Sequence, residues 1–455
     1  MKTSQLAILL MVVLIGMWAF AGTQIAMELR QPADDHRNLG GSLRNSRPLQ
    51  PPFQQYSEQA PECYPLESPE DVTMTLVTQV SHDRLWMLKH HCDRYRDLEG
   101  GPFDQHPMSI AVYSNATLEV ILEELREMNC GVAGRATESG TAYAPVMVSV
   151  LDAQTHGSWK EYPVNELRNL ALSKVQTTHI LYIDVDFWPS DYLYETIMGG
   201  IAISDPGSGD ADADAESQRE FSLSVRQELV DDPKLALVIP AFQLWRQCTE
   251  WRDCQEKNLP HMENSRRLLG MANEILKNKS IAIFDPTNKG GHGSTDYKHW
   301  FQQTPGTLRD IECLTSNRYE PFVMVRYCKD LPPFQTAFAG YGKNKVTWMM
   351  QVIASGYVFS QVGGAYLVHY PHLDSASRQL WNGKLETDSP NRDTNGNIKK
   401  ESSKRGQIDK LFVDFKDWLD STIDSKKLQR MRFCEDAQDD DSKLWVETKP
   451  SKATK

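Results

Sequence analysis

The stretch His179-Ile-Leu-Tyr-Ile-Asp-Val-Asp-Phe-Trp-Pro189 decides how this chain folds. Its apolar run, 180–183, has the pattern of a strand buried on both faces. Pro189 ends the element, because proline has no N–H to give to a sheet. Asp184 and Asp186 therefore stand where the strand leaves the sheet, the end at which open α/β sheets bind ligands. Side chains alternate along an extended segment, so the two carboxylates are expected to face the same way.

Working outward, residues 72–78, 108–113 and 145–151 read as further strands, and 83–95, 117–128 and 164–174 as helices between them. Strands alternating with helices of this length predict a doubly wound, mostly parallel α/β sheet. Beyond it come expected strands at 235–241, 320–326 and 366–370 and helices at 344–353 and 411–419. Residues 281–300, with their Gly-Gly-His-Gly, form a loop-rich stretch. Residues 205–217 are low in complexity and read as a solvated loop. They contain a second acidic repeat, Asp210-Ala-Asp-Ala-Asp214, which has no strand before it and so lacks what distinguishes Asp184 and Asp186.

The chain has 455 residues, 40% of them hydrophobic, enough for one large domain with appendages. A formal net charge of -12 excludes the basic surface that non-specific nucleic-acid binding needs. The eight cysteines contain no CxxC pair, which argues against a zinc site. Disulfides are expected in an oxidising compartment, Cys248 with Cys254 or Cys313 with Cys328 being examples. Residues 6–22 are apolar, and as a helix would span roughly 25 Å, close to the hydrocarbon thickness of a bilayer. This segment is either an uncleaved signal anchor behind a short cytosolic tail or a cleaved signal peptide ending at Ala19-Phe-Ala21. The apolar character continues through Ile25-Ala-Met27 and favours the anchor. Both send the rest of the chain into the secretory lumen. The expected organisation is a tail and anchor over 1–27, a stem over 28–70 and a catalytic-sized domain over 71–384. A polar loop with a C-terminal helix follows over 385–434, then a tail over 435–455.

Two strand-end carboxylates repel each other unless a cation neutralises them, and oxygen-rich ligation suits Mn²⁺ or Mg²⁺. Such an ion would bridge the diphosphate of a nucleotide-sugar and stabilise the leaving charge. His369, in Tyr366-Leu-Val-His-Tyr-Pro-His372, follows a short apolar strand. It reads equally as a structural histidine or as a third ligand, with His372 as the substitute.

Several blocks in order resemble glycosyltransferase family 49, over residues 72–374. They are Leu76-Val-Thr-Gln79 with Asp83-Arg84-Leu85, Tyr162-Pro-Val-Asn-Glu-Leu-Arg-Asn169 and Asp184-Val-Asp-Phe-Trp-Pro189. Val238-Ile-Pro-Ala-Phe242, Tyr319-Glu-Pro-Phe322, Gly340-Tyr-Gly-Lys-Asn-Lys345 and Leu367-Val-His-Tyr370 complete the set. The family includes the glucuronyltransferase domain of LARGE-type enzymes. The resemblance implies a GT-A nucleotide-sugar-binding fold, a type II Golgi topology and inverting, Mn²⁺-dependent transfer from a UDP-sugar, glucuronate first, to a glycan or glycoprotein acceptor. It makes His369 a metal ligand beside Asp184 and Asp186. It makes Arg168 and Asn169 donor-site residues, Arg168 through its bidentate fork. Asp83 and Arg84, after the first strand, are placed for a nucleotide base or ribose, or are equally a helix N-terminal Asp with its neighbour. Tyr341 is a candidate sugar-stacking ring, and Asn344 and Lys345 are candidates for donor or acceptor contacts.

Inverting transfer needs a carboxylate base. Lys343-Asn-Lys345, after the Gly340-Tyr-Gly342 turn, holds no acid. Glu320 is the first candidate, reading equally as a buried hydrogen-bond anchor for the neighbouring turn, and Asp374 is the second. The competing reading is a catalytically silent luminal glycan-binding scaffold that kept the fold. The carboxylate and histidine set speaks against it.

Overall fold

Most of the apolar runs read as strands join one sheet. The computed structural model describes residues 52–96, 105–132, 145–155, 161–199, 223–250, 253–385, 403–435 and 437. The expected anchor, the Asp210–Asp214 repeat and the C-terminal tail after 437 lie outside the described residues. Among the described residues no helix is long and apolar enough to cross a membrane.

The strands are β1 Met74–Ser81, β2 Met108–Ser114, β3 Val146–Asp152, β4 His179–Tyr182, β5 Phe187–Pro189, β6 Leu235–Ile239, β7 Ala241–Leu244, β8 Ile281–Ile283, β9 Leu308–Asp310, β10 Cys313–Leu314, β11 Phe322–Arg326, β12 Val358–Val362, β13 Leu367–His369 and β14 Arg432–Phe433. The main sheet runs β3-β2-β1-β4-β11-β6-β12-β9. β3, β2, β1 and β4 are parallel, as the alternation with helices predicts. β11 is antiparallel to both β4 and β6, while β12 returns parallel to β6. The sheet is therefore mixed α/β, with its parallel half at the N-terminal side.

Period-two alternation divides the core. Leu76, Leu181 and Ile183 pack on one face, and Val77, Ile180 and Tyr182 on the other. The expected strand 235–241 is broken by Pro240, which cannot donate to a ladder. β6 stays in the main sheet, and β7 enters a second sheet ordered β5-β13-β7-β8. β5 and β13 carry the chain just after Asp186 and up to His369, so this small sheet sets where those residues meet.

The stem was expected to reach residue 70, yet its described part is fixed to the domain. Phe53 lies 5.5 Å from both Phe415 and Trp418, and Cys63 is bonded to Cys328. Phe415 and Trp418 belong to the C-terminal helix Lys404–Thr422, so both ends of the described chain close one face of the core. Cys248 pairs with Cys254 as expected, whereas Cys313 pairs with Cys434 and not with Cys328. The reason is topological: β10 pairs with β14, which brings Cys434 back beside Cys313. Cys92–Cys130 completes the set, leaving no free cysteine.

Three buried histidines make the fold acid-sensitive. Burial lowers His91 to about 4, and burial with a neighbouring cation lowers His179 (Arg326) and His292 (Lys345) to about 3. Between the ordinary value near 6.5 and these values the unfolded chain binds more protons than the folded one. Stability therefore falls as pH drops below about 6.5, by up to about 1.4 kcal/mol per pH unit for each histidine. The urea midpoint should hold above pH 7 and fall steadily towards pH 4.5. A midpoint unchanged down to pH 5 would contradict this account.

Candidate active site

Asp184 follows Tyr182 by two residues and leaves β4 on the same face. The chain then turns instead of continuing extended, with Phe187 N–H donating to Asp184 O at 2.9 Å. This turn separates the two carboxylates, which the alternation rule had placed on one side.

Asp184 enters a hydrogen-bonded network. Arg168 Nη2 donates to its Oδ1 at 3.0 Å, and the Tyr182 hydroxyl donates to the same oxygen. Gln79 Nε2, from β1, reaches it at 3.4 Å, and the Tyr162 hydroxyl donates to Gln79 Oε1. The Arg168 side chain is only 3% exposed. Its Nη1 also donates to Asn165 Oδ1 at 2.8 Å and Asn344 Oδ1 at 3.1 Å. Burial works against the Asp184 charge, but Arg168 and then Lys345 outweigh it and lower the carboxyl.

Asp186 meets two histidines. His372 Nε2 lies 2.7 Å and His369 Nε2 3.7 Å from its Oδ2. One donor atom from each of Asp186, His369 and His372 lies within 4.8 Å of the others. Antiparallel pairing of β5 with β13 sets His369 opposite Phe187, and Tyr370 N–H donates to Asp186 O at 2.8 Å. His372 Nδ1 is 2.7 Å from Leu373 O, and its Nε2 faces Asp186, where it donates to the carboxylate when no ion is bound. Burial again opposes the charge, and the two imidazoles overcome it, holding the Asp186 carboxyl well below the usual range. An oxygen and two imidazole nitrogens, converging from a turn, a strand and a loop, suit a divalent transition ion. Asp184 stands beside this group and is engaged by Arg168 instead.

Arg84 was expected near a base or ribose. It turns to the metal-type cluster, its Nη1 3.9 Å from Asp186 and its Nη2 3.3 Å from His372 Nδ1. Asp83 is exposed in the first turn of the segment His82–Met87. Asn169 is not at the site: its Nδ2 donates to Phe334 O at 2.8 Å and its Oδ1 accepts from Phe334 N at 3.0 Å. One turn earlier on the same helix, Asn165 takes the place beside Arg168. Sequence reading passed over Asn165, Gln79 and Tyr182, although the first two lie in the quoted blocks.

Gly340 and Gly342 have φ of 77° and 97°, and Lys343 is also left-handed at 61°. A Cβ on Gly342 would lie 2.4 Å from the Trp381 ring, so only glycine fits the turn that starts the helix Asn344–Ala354. That turn aims Asn344 at Arg168 and buries Lys345, whose ammonium lies 4.0 Å from the Phe322 ring. Glu320 sits just before β11, its N–H donating to Gly291 O at 2.9 Å. Burial raises its carboxyl and Lys345 pulls the other way. Asp374 is paired with Arg378 at 3.3 Å and Lys384 at 3.6 Å, whereas Glu320 feels the charges of Lys345, Asp184 and Arg168. Tyr341 is 39% exposed, with the Arg378 guanidinium 5.3 Å from its ring.

The chain is 29% identical to the xylosyl- and glucuronyltransferase LARGE2 of Rattus norvegicus over 68% of its own length and 36% of the relative's. It is 29% identical to LARGE1 of Gallus gallus over 69% of its own length and 33% of that protein. It thus spans about a third of the length of these relatives. A crystal structure of GalNAc-T7 with UDP, GalNAc and Mn²⁺ covers 67% of this chain and 45% of its own, at a TM-score of 0.34 and 10% identity, too remote to carry an argument. The family model described as glycosyl-transferase for dystroglycan matches residues 137–404, more than half of the chain and the stretch that holds Arg168, Asp184, Asp186, His369 and His372. The chain belongs to that family, glycosyltransferase family 49.

Proposed function

We propose that this protein is a Mn²⁺-dependent, inverting glycosyltransferase with a GT-A architecture. It transfers a sugar, glucuronate first, from a UDP-sugar to a glycan or glycoprotein acceptor. The observation that carries the reading is the convergence of Asp186, His369 and His372 beside the Arg168–Asp184 network. Two imidazoles with one carboxylate suit Mn²⁺ better than Mg²⁺, which prefers oxygen and water. Bound there, the ion supplies Lewis-acid neutralisation of the UDP leaving group.

The chain's own residues do the rest. Arg168, held by Asn165, Asn344 and Tyr182, orients Asp184 towards the donor. Lys345 offers a buried positive charge to a donor carboxylate or phosphate. Glu320 takes the proton of the acceptor hydroxyl as that oxygen bonds to the anomeric carbon. The bond from that carbon to the β-phosphate oxygen breaks, and its electron pair leaves with UDP. A carboxyl raised by burial is the stronger base for this step. The apolar N-terminal run would serve as a signal anchor, placing the domain in the Golgi lumen with type II topology.

The test is UDP release with Mn²⁺ across UDP-glucuronate, UDP-xylose and UDP-N-acetylglucosamine. Release from UDP-glucuronate that vanishes on chelation is expected. Release from one of the other donors alone would overturn the choice of sugar. No release, together with no Mn²⁺-dependent stabilisation by UDP, would leave the scaffold reading. Glu320→Gln should lower kcat by about 10²–10⁴-fold with little change in donor KM. Undiminished turnover in that variant would remove Glu320 as the base.

A further inference from the structure

His91 is wholly buried on the helix Leu88–Arg94, behind the turn that carries both aspartates. Its Nε2 lies 2.7 Å from the carbonyl oxygen of Val185, the residue between Asp184 and Asp186. A carbonyl only accepts, so Nε2 carries the proton. Nδ1 is then a buried acceptor, and among the described residues it has no partner. An unpaired buried nitrogen is destabilising, and an apolar side chain would avoid it. Among the described residues, the one group this imidazole hydrogen-bonds is the peptide between the aspartates.

The same helix holds the following residues too. The His90 ring stacks on Trp188 at 4.0 Å and an interplanar angle of 11°, and Tyr370 stacks on that indole at 5.0 Å. Arg94 Nη1 donates to Pro189 O at 3.2 Å. Residues 90, 91 and 94 thus contact 188, 185 and 189, and Trp188 and Tyr370 tie this brace to the strands leading from Asp186 and into His369. Cys92, between them, is bonded to Cys130.

We propose that His91 is a positioning residue for the metal centre: its bond to Val185 O sets the peptide that aims Asp186 at His369 and His372. This rests on the metal-dependent reading above. Loss of such an outer partner typically weakens metal binding 10–100-fold. A glutamine amide nitrogen can stand where imidazole Nε2 stands, whereas an asparagine amide is too short to reach it.

The experiment titrates the full chain with Mn²⁺ alone, reading free Mn²⁺ by electron paramagnetic resonance and stability by thermal melting. His91→Leu should raise the Mn²⁺ Kd about 10–100-fold. His91→Gln should stay within about threefold of the parent, whatever the two variants do to Tm. If the leucine variant does not fold, His91→Asn replaces it and should lose Mn²⁺ as leucine would. Parent-like Mn²⁺ binding in the leucine or asparagine variant overturns the positioning role alone. Equal loss in the glutamine variant also overturns it, because the restored donor would then be irrelevant. Absence of Mn²⁺ binding in the parent, or binding unaffected by Asp186→Ala, overturns the metal reading itself and this role with it.

Discussion

Asp186→Ala is expected to reduce sugar transfer by about 10²–10⁴-fold, which corresponds to several kcal/mol of lost stabilisation of the leaving charge. Asp186 is the single carboxylate in the group with His369 and His372. Its carboxyl, held well below the usual range by the two imidazoles, is an anionic ligand at any physiological pH. Without it, two neutral nitrogens remain to hold a divalent ion, so Mn²⁺ binding should weaken in parallel with turnover. The check is a pair of measurements on one variant, the Mn²⁺ titration and UDP release at saturating donor. Turnover near the parent's would mean that the leaving group is neutralised elsewhere. Asp184→Asn should behave differently. It leaves the three-ligand group intact, so its loss should show mainly in donor KM.

Arg168→Met carries the largest expected loss of stability. The guanidinium is buried and donates to Asp184, Asn165, Asn344 and the Tyr182 hydroxyl. Breaking a fully buried pair destabilises by about 3–5 kcal/mol, and Asp184, 24% exposed, is only partly buried. Asp184 keeps its bonds from Tyr182 and Gln79, which points to the lower part of that range. The double variant Arg168→Met with Asp184→Asn should recover part of the loss, since no buried charge is then left alone. Chemical denaturation of the parent, the two single variants and the double variant reads the coupling directly. A single-variant effect below about 1 kcal/mol would mean that water already screens this pair.

The acid sensitivity expected from His91, His179 and His292 bears on these experiments. Mn²⁺ titrations belong near neutral pH, where the fold is not being drawn down by protonation of the unfolded chain.

Asp184, Asp186 and His369 stood out because the cues are local: two aspartates just after an apolar strand and a histidine at the end of another. His372 was read only as a substitute for His369, yet the structure brings both to Asp186. The irregular segment after β13 carries His372 to Asp186, while β13 itself is held beside β5 by backbone pairing. Arg84 stands 288 residues from His372 in the chain, a separation across which no periodic pattern can report contact. Asn169 and Asn165 lie one helical turn apart and look alike in the sequence. Only the packing of the helix Val164–Leu172 against the Phe334 backbone tells which faces the site.

The sequence alone determined the α/β class, the parallel order of the first strands, the family and the two strand-end aspartates. Those follow from apolar periodicity, turn chemistry and ordered blocks, all readable within a few residues of one another. Tertiary structure decided that β11 runs against its neighbours, that Cys313 meets Cys434, and that Asp184 belongs to Arg168 while Asp186 belongs to the histidines. It did so because strand direction, disulfide partners and the aim of a side chain beyond a strand depend on which distant segments pack together.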